Sequence, residues 1–281
     1  MELEPCGIPS VARGFTLKMI FLEEGVLVDG DWIASTDGWG KLGHFMVCKI
    51  TEKYLSENAT RAVVDLLPPD AGGQLSAVCS WADEVRFRYR WSSPLHYANT
   101  PGVCDFKVTR DCHNAKGTEN MCVVGAINNY TAQLRTYGKS SSGYNLTESL
   151  MFLAHFVGDI HQPLHVGFRD DEGGNTILVR WYRRKTNLHH GNWADDIIDW
   201  ETCNRKTVTC APQYASESID LSCKYAYKDV EQNSTLTDDY FFSRYPIMER
   251  RIAQAGLRLA TLLNSIFDPS FNSINPGFQI S

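Results

Sequence analysis

The run Ala154-His155-Phe156-Val157-Gly158-Asp159-Ile160-His161-Gln162-Pro163-Leu164-His165 limits what this chain can fold into more than any other stretch. Its apolar residues continue a helical pattern, and the side chains of His155 and Asp159, four residues apart, leave one helix face about a turn from each other. That is the spacing of metal ligands. Pro163 has no N–H to give, so the helix is expected to stop there, which lets His165 turn back toward the same pocket. The rest of the chain must wrap an apolar helix and also decide whether a metal site is completed on it.

The surrounding periodicity is mainly helical. Leu42, Phe45, Met46, Ile50, Tyr54 and Leu55 predict a helix over 41–55 with His44 in its first turns, and a shorter helix is expected over 74–85, carrying Trp81 and Asp83. Arg86 to Trp91 alternates cations with aromatics, and Ser93 to Tyr97 should be extended or turned because of Pro94. The stretch 100–119 reads as a polar loop tied by cysteines. Helices are expected over 122–137, 145–160 (capped by Asn145 or Thr147), 193–200, 213–227 and 246–266. Ile177, Val179 and Trp181 alternate in a single convincing strand over 176–182, which should pair in a small hairpin beside a helical bundle. The fold class is mainly α. Residues 39–267 read as one domain, 1–38 as an atypical N-terminal extension and 268–281 as an irregular tail.

Composition narrows the class of function. A net charge of −6 argues against a broad basic surface for nucleic acid, although divalent cations would offset it locally. No apolar run reaches the ~18 residues of a membrane span, so a soluble chain, expected to be a monomer, is the reading. The nine cysteines include no Cys-x-x-Cys pair, which favours disulfides over thiolate-bound zinc. Cys48, Cys79, Cys104, Cys112, Cys122, Cys203, Cys210 and Cys223 are the candidates, in a pairing the sequence leaves open, and Cys6 is the expected odd one. Acceptor motifs for N-glycosylation at Asn58, Asn129, Asn145 and Asn233 also point to the secretory pathway. Phe15 to Val28 is too interrupted by charge for a signal peptide.

Seven residues of ligand type stand in short local motifs: His44, Asp83, His96, His155, Asp159, His165 and His189. Imidazoles and carboxylates without thiolates suit catalytic rather than structural zinc. Each has a blander reading. An i,i+4 His/Asp pair can be a simple helix contact, and His113, His161 and His190 are read as surface or satisfied core histidines. The Arg86–Trp91 alternation is either a solvated edge or a groove of aromatics and arginines for nucleic acid.

Taken together, Trp39-Gly-x-x-Gly-His44, Trp81-Ala-Asp83, Ser93-Pro-Leu-His96-Tyr97, the run 154–165, Gly173-Gly-Asn175-Thr and Asn187-Leu-His-His190 closely resemble the zinc-dependent single-strand nucleases, the plant bifunctional and fungal Aspergillus-type enzymes. The resemblance covers residues 39 to about 267. It implies a mostly helical fold shared with zinc-dependent phospholipase C and three zinc ions at the bottom of a cleft. By position, Asp83, His96, His155 and Asp159 would hold one zinc. Trp39 and His44 would hold a second with Asp159 bridging, and His165 and His189 a third with a further aspartate. Asp83, Arg86 and Asp159 would be catalytic, Arg86 stabilising charge on the phosphate. Tyr97 and Asn99 would bind a nucleobase, and Asn175 would touch substrate. The implied reaction is zinc-assisted hydrolysis of single-stranded DNA and RNA to 5′-phosphate products, with 3′-nucleotides as further substrates.

The sequence departs from that family at two places. Trp39, whose free amine and carbonyl bind zinc in the family, is preceded here by 38 residues, and Leu42 replaces the usual acidic residue. After His190, where the family supplies its last aspartate, the chain runs directly into Gly191-Asn-Trp193-Ala-Asp195-Asp196 and Trp200-Glu-Thr-Cys203, which resembles a later helix of the family. A segment about one helical hairpin long is missing, and Asp195 and Asp196 are poor candidates to replace the lost ligand. Two further readings therefore stand beside a nuclease: a catalytically impaired variant of the same scaffold, and a phospholipase C-like phosphodiesterase.

Overall fold

A helix buried on every side forms the axis of the molecule, and the other elements are best described from it. The computed structural model describes residues 39–139, 143–181, 184–190 and 209–274. Its helices are α1 (Gly40–Tyr54), α2 (Glu57–Leu66), α3 (Trp81–Val85), α4 (Val108–Asp111), α5 (Val123–Leu134), α6 (Leu146–His161), α7 (Ala211–Leu221), α8 (Asp238–Phe267) and α9 (Pro269–Ile274). The axis is α6. Asn145 caps it by accepting from the Glu148 N–H, and every residue from Ser149 to His161 is buried. Helices α5, α8, α7, α3, α1 and α2 pack around it. Phe152 stacks on both Phe156 and Tyr130 of α5; each phenylalanine, fully buried, contributes on the order of 1.5–3 kcal/mol.

Helix α6 ends where the proline requires. Gln162 closes the last turn, and its Oε1 accepts from the N–H groups of Leu164 and His165, capping a 3-10 turn over Pro163–Val166. This returns His165 to Asp159. Close approach of α1 is set by a glycine: a Cβ on Gly158 would lie 2.7 Å from His44 Nδ1. Only glycine leaves room for that ring.

Strands β1 (Leu178–Trp181) and β2 (Arg184–Asn187) form the expected antiparallel hairpin, and β3 (Thr235–Leu236) adds to β1 in parallel, in the order β2-β1-β3. Beneath the sheet Val179, Leu188, Leu164 and Leu236 make a small second core. It anchors Leu164 and Leu188, the residues next to His165 and His189.

Several elements differ from the sequence reading. The helix expected over 74–85 is broken into a 3-10 turn (Leu75–Val78) and α3, because the Cys79 carbonyl accepts from His155 Nδ1 at 2.8 Å while Asp83 N–H bonds to Ser80. Residues Arg90–His96 form a 3-10 helix through Pro94, the turned alternative of the sequence reading, starting three residues before Ser93. Helix α2, capped by Ser56, was not anticipated. Helix α7 continues into a π-helical turn at Ser222–Ala226, and α8 begins eight residues before Pro246, favoured by Asp238 and Asp239 in its first turn. The tail is helical over Pro269–Ile274, since Asp268 caps it by accepting from Ser270 N–H and Pro269 suits the first position. The helix expected over 193–200 lies outside the described residues, as do residues 1–38 and 275–281.

Three disulfides, Cys48–Cys79, Cys104–Cys223 and Cys112–Cys122, tie the bundle to its loops, and Cys210 is disulfide-bonded too. Cys6 and Cys203 lie outside the described residues. Asn58, Asn129, Asn145 and Asn233 are all exposed. Among the described residues no helix is long and apolar enough to cross a membrane.

Candidate metal centre and cleft

Asp159 is the hub of a largely buried polar cluster assembled from six parts of the chain. Its Oδ2 lies 2.9 Å from His96 Nδ1 and 3.2 Å from His155 Nε2; its Oδ1 lies 3.3 Å from His44 Nε2 and 3.3 Å from His165 Nδ1. Asp83, on α3, brings Oδ1 to 3.6 Å from His96 Nδ1 and 3.7 Å from His155 Nε2. The His44 and His155 rings stack at 3.8 Å, and those of His165 and His189 at 5.1 Å. The sequence reading placed these seven residues together, and they are together here.

Backbone carbonyls aim the imidazoles. His155 Nδ1 donates to Cys79 O at 2.8 Å, His165 Nδ1 to His96 O at 2.7 Å and His189 Nδ1 to Gly173 O at 2.8 Å. In each case Nε2 is the nitrogen left with a lone pair, as ligating histidines require. Gly173 reaches its position with φ +66°, and a Cβ there would lie 2.4 Å from Leu164 O. The glycine thereby orients His189.

The cluster is not satisfied by protein groups alone. His44 Nδ1, His96 Nε2, His155 Nε2 and Asp159 Oδ1 are buried without a hydrogen-bond partner. Burying polar atoms in that state costs about 1–3 kcal/mol each, so their retention needs a ligand to explain it. Two sets of ligand atoms lie within 4.8 Å of one another, His44/Asp83/His155 and His96/His155/Asp159. These sets could hold metal ions, and the donor chemistry suits zinc.

The charges inside are strained against burial. Burial holds His44 down to about 4 and lowers His96. Burial also acts against a charged His155, but Asp159 and Asp83 outweigh it and raise the ring to about 9. Desolvation likewise pushes the Asp159 carboxyl up, yet His155 and His165 hold it well below the usual range. An ionised carboxylate thus sits among crowded imidazoles, where a cation would replace protons.

The cluster opens into a cleft of about 910 Å³ lined also by Arg86, Tyr97, Asn99, Asn175 and Arg169. Arg86 Nη1 lies 3.8 Å from Asp83 Oδ1, Tyr97 is exposed, and Asn99 Oδ1 is buried without a partner. Asn175 Nδ2 donates to Glu172 O at 2.8 Å. Arg169 was not singled out in the sequence and carries no motif that would mark it. Trp39 is buried, its indole donating to Gly158 O at 2.6 Å and its carbonyl accepting from Gly43 N–H at 3.1 Å. Asp195 and Asp196 lie outside the described residues. Both ring nitrogens of His113 and of His161 are engaged, as their blander reading requires; the His190 side chain is outside the described set.

Comparison with known proteins gives concordant matches. The profile of the S1/P1 nuclease family matches residues 39–202 and 191–268. Endonuclease 4 of Arabidopsis thaliana is 50% identical over 266 residues, covering 82% of this chain and 89% of the relative. Endonuclease 2 of the same plant is 49% identical (82% and 91%), and nuclease P1 of Penicillium citrinum 30% identical (81% and 97%). Since 82% of 281 residues is about 230, roughly 36 of the 266 aligned positions of Endonuclease 4 have no counterpart here. The two profile matches overlap at residues 191–202, just after His190.

Proposed function

The chain belongs to the S1/P1 nuclease family, and from that premise we propose that it is a zinc-dependent endonuclease that hydrolyses single-stranded DNA and RNA to 5′-phosphate products and also accepts 3′-nucleotides. The observation that carries the reading is the set of buried, partnerless ligand atoms around Asp159, next to a cleft lined by their neighbours Asp83, His96, His165 and His189. Asp83, His96, His155 and Asp159 would hold one zinc, Trp39 and His44 a second with Asp159 shared, and His165 and His189 part of a third. Zinc, when bound, supplies Lewis acidity toward phosphoryl oxygens.

The chain's own groups account for substrate choice. Arg86, at the cleft wall beside Asp83, would meet the negative charge that develops on phosphate. Tyr97 presents an exposed ring for stacking, and Asn99 Oδ1 is an acceptor free for a base amine. Asn175, which also lines the cleft, would touch the substrate. A base must leave its stack to reach Tyr97, so duplex is disfavoured. These recognition groups suit a nucleotide better than a lipid head group, and a lipid substrate assay separates the phospholipase reading. The disulfides and exposed glycosylation acceptors support a secreted or vacuolar protein.

A second reading, an impaired scaffold, is favoured by the roughly 36 positions of Endonuclease 4 without a counterpart here and by the overlap of the two family matches at residues 191–202, just after His190, where the family's last zinc ligand is expected. Cleavage of single-stranded DNA in zinc buffer, with and without removal of residues 1–38, decides between them. The proposal expects cleavage, stronger with Trp39 as the first residue. No cleavage by either form would leave the impaired scaffold.

A further inference from the structure

The proposed reaction uses Arg86, His96 and Tyr97 but not the nine residues from Phe87 to Leu95, although both Arg86 and His96, which bound that segment, line the cleft. The segment is therefore the cleft's rim. Arg86, Phe87, Arg88, Arg90 and Trp91 are all exposed, Phe87 at 73% and Trp91 at 52%. Trp91 is not a loose surface ring. Its inner face stacks on Tyr89 at 5.7 Å and 25°, it approaches Phe152 of α6 at 5.7 Å, and Tyr89 is fixed by its hydroxyl donating to Glu148 at 3.0 Å. The outer part of the indole is left as a rigid platform. Among the described residues no carboxylate pairs with Arg88 or Arg90, so two uncompensated cations flank that platform in a chain of net charge −6.

We propose that Trp91 and Phe87, with Arg88 and Arg90, form a track that binds the flank of a single-stranded nucleic acid whose scissile phosphate lies in the cleft. The inference rests on the nuclease reading and extends it from the reacting nucleotide to its neighbours. Aromatic faces interleaved with arginines are the chemistry that holds single strands without regard to sequence, bases stacking while phosphates pair with guanidinium groups. Trp91 and His96 share one 3-10 helix five residues apart, which at ~2 Å per residue places them about 10 Å apart. That distance puts the platform within a few nucleotides of the candidate metal centre.

The test is binding of labelled dT15 to the full-length chain by fluorescence anisotropy in chelator, which prevents hydrolysis, with cleavage of dT15 and of a thymidine dinucleotide in zinc measured on the same preparations. Trp91→Ala is expected to weaken dT15 binding roughly 5- to 150-fold and to lower the ratio of kcat/KM for dT15 over the dinucleotide. Phe87→Ala removes a side chain too exposed to support the fold and should weaken binding in the same direction. The double change Arg88→Ala/Arg90→Ala should reduce the slope of log affinity against log salt by about 1.4. Phe242→Ala, an equally exposed aromatic on α8, should change none of these. Binding by the Trp91 and Phe87 variants within 2-fold of the parent overturns the track, and so does loss of binding to anionic vesicles with dT15 binding intact, which would assign the patch to a lipid surface. If the binding shifts appear without any cleavage, the track stands and the catalytic reading falls; if cleavage is robust and the shifts are absent, the reverse holds.

Discussion

Two polar clusters meet the same end of α6, and they are built to opposite rules. Around Asp159, four buried imidazole and carboxylate atoms have no hydrogen-bond partner. Around His161, two residues further along, both ring nitrogens and the two arginines that face them are engaged. Arg251 is fully buried and donates to His161 O, Glu217, Gln254 and Ser218; Arg258 donates to His161 Nε2 and to both oxygens of Glu217. Both clusters are polar and buried. What separates them is satisfaction, and that is the physical difference between a site awaiting a ligand and a clamp that holds helices together.

The largest expected effect breaks the first cluster. Asp159→Asn should lower cleavage of single-stranded DNA by at least ~1000-fold, about 4 kcal/mol, while unfolding of the metal-free protein in urea shifts by no more than about 1 kcal/mol. Residual activity within tenfold of the parent would contradict the role of the hub. The mirror experiment is Arg251→Ala, which strands Glu217 and should cost about 3–5 kcal/mol of stability in urea unfolding with the zinc content of the folded fraction unchanged. A smaller effect comes from the metal itself. At free zinc near 100 times its dissociation constant the parent should gain about 2.7 kcal/mol over the chelated form, and Asp159→Asn should gain much less.

The smallest expected effect is the acid response of the clamp. Burial pushes the Glu217 carboxyl up, but Arg258 and Arg251 outweigh it and hold it below its ordinary value of 4.5. A depressed carboxyl stabilises the fold above its unfolded pKa and loses that contribution as pH falls through the folded one. Stability of the parent should therefore decline below about pH 4.5 more steeply than that of Glu217→Gln, as read from melting temperature against pH; parallel curves would remove the clamp from the acid response.

The contrast also marks what could be read from sequence. The spacing of His155, Asp159 and His165 around Pro163 already placed three groups of the hub, because helix geometry and a missing N–H are local facts. The clamp was not visible: Arg251, which lies in no motif, meets His161 across 90 residues. The same long-range logic broke the helix expected over 74–85, where the Cys79 carbonyl turns from its own helix to His155, and it brought β3 to β1 from more than 50 residues away. The stacking of His44 on His155 likewise depends on Gly158, whose significance is steric and appears only when two helices are side by side. Local signals such as Asp268-Pro269 were available but were outweighed by the prolines of the tail.

The central claim is that the atoms left unsatisfied around Asp159 belong to metal ions. Elemental analysis after chelation, reconstitution with zinc and extensive dialysis measures this directly. The account predicts at least one tightly held zinc per chain in the parent and a lower content in Asp159→Asn. Less than one tightly held zinc per parent chain would contradict it.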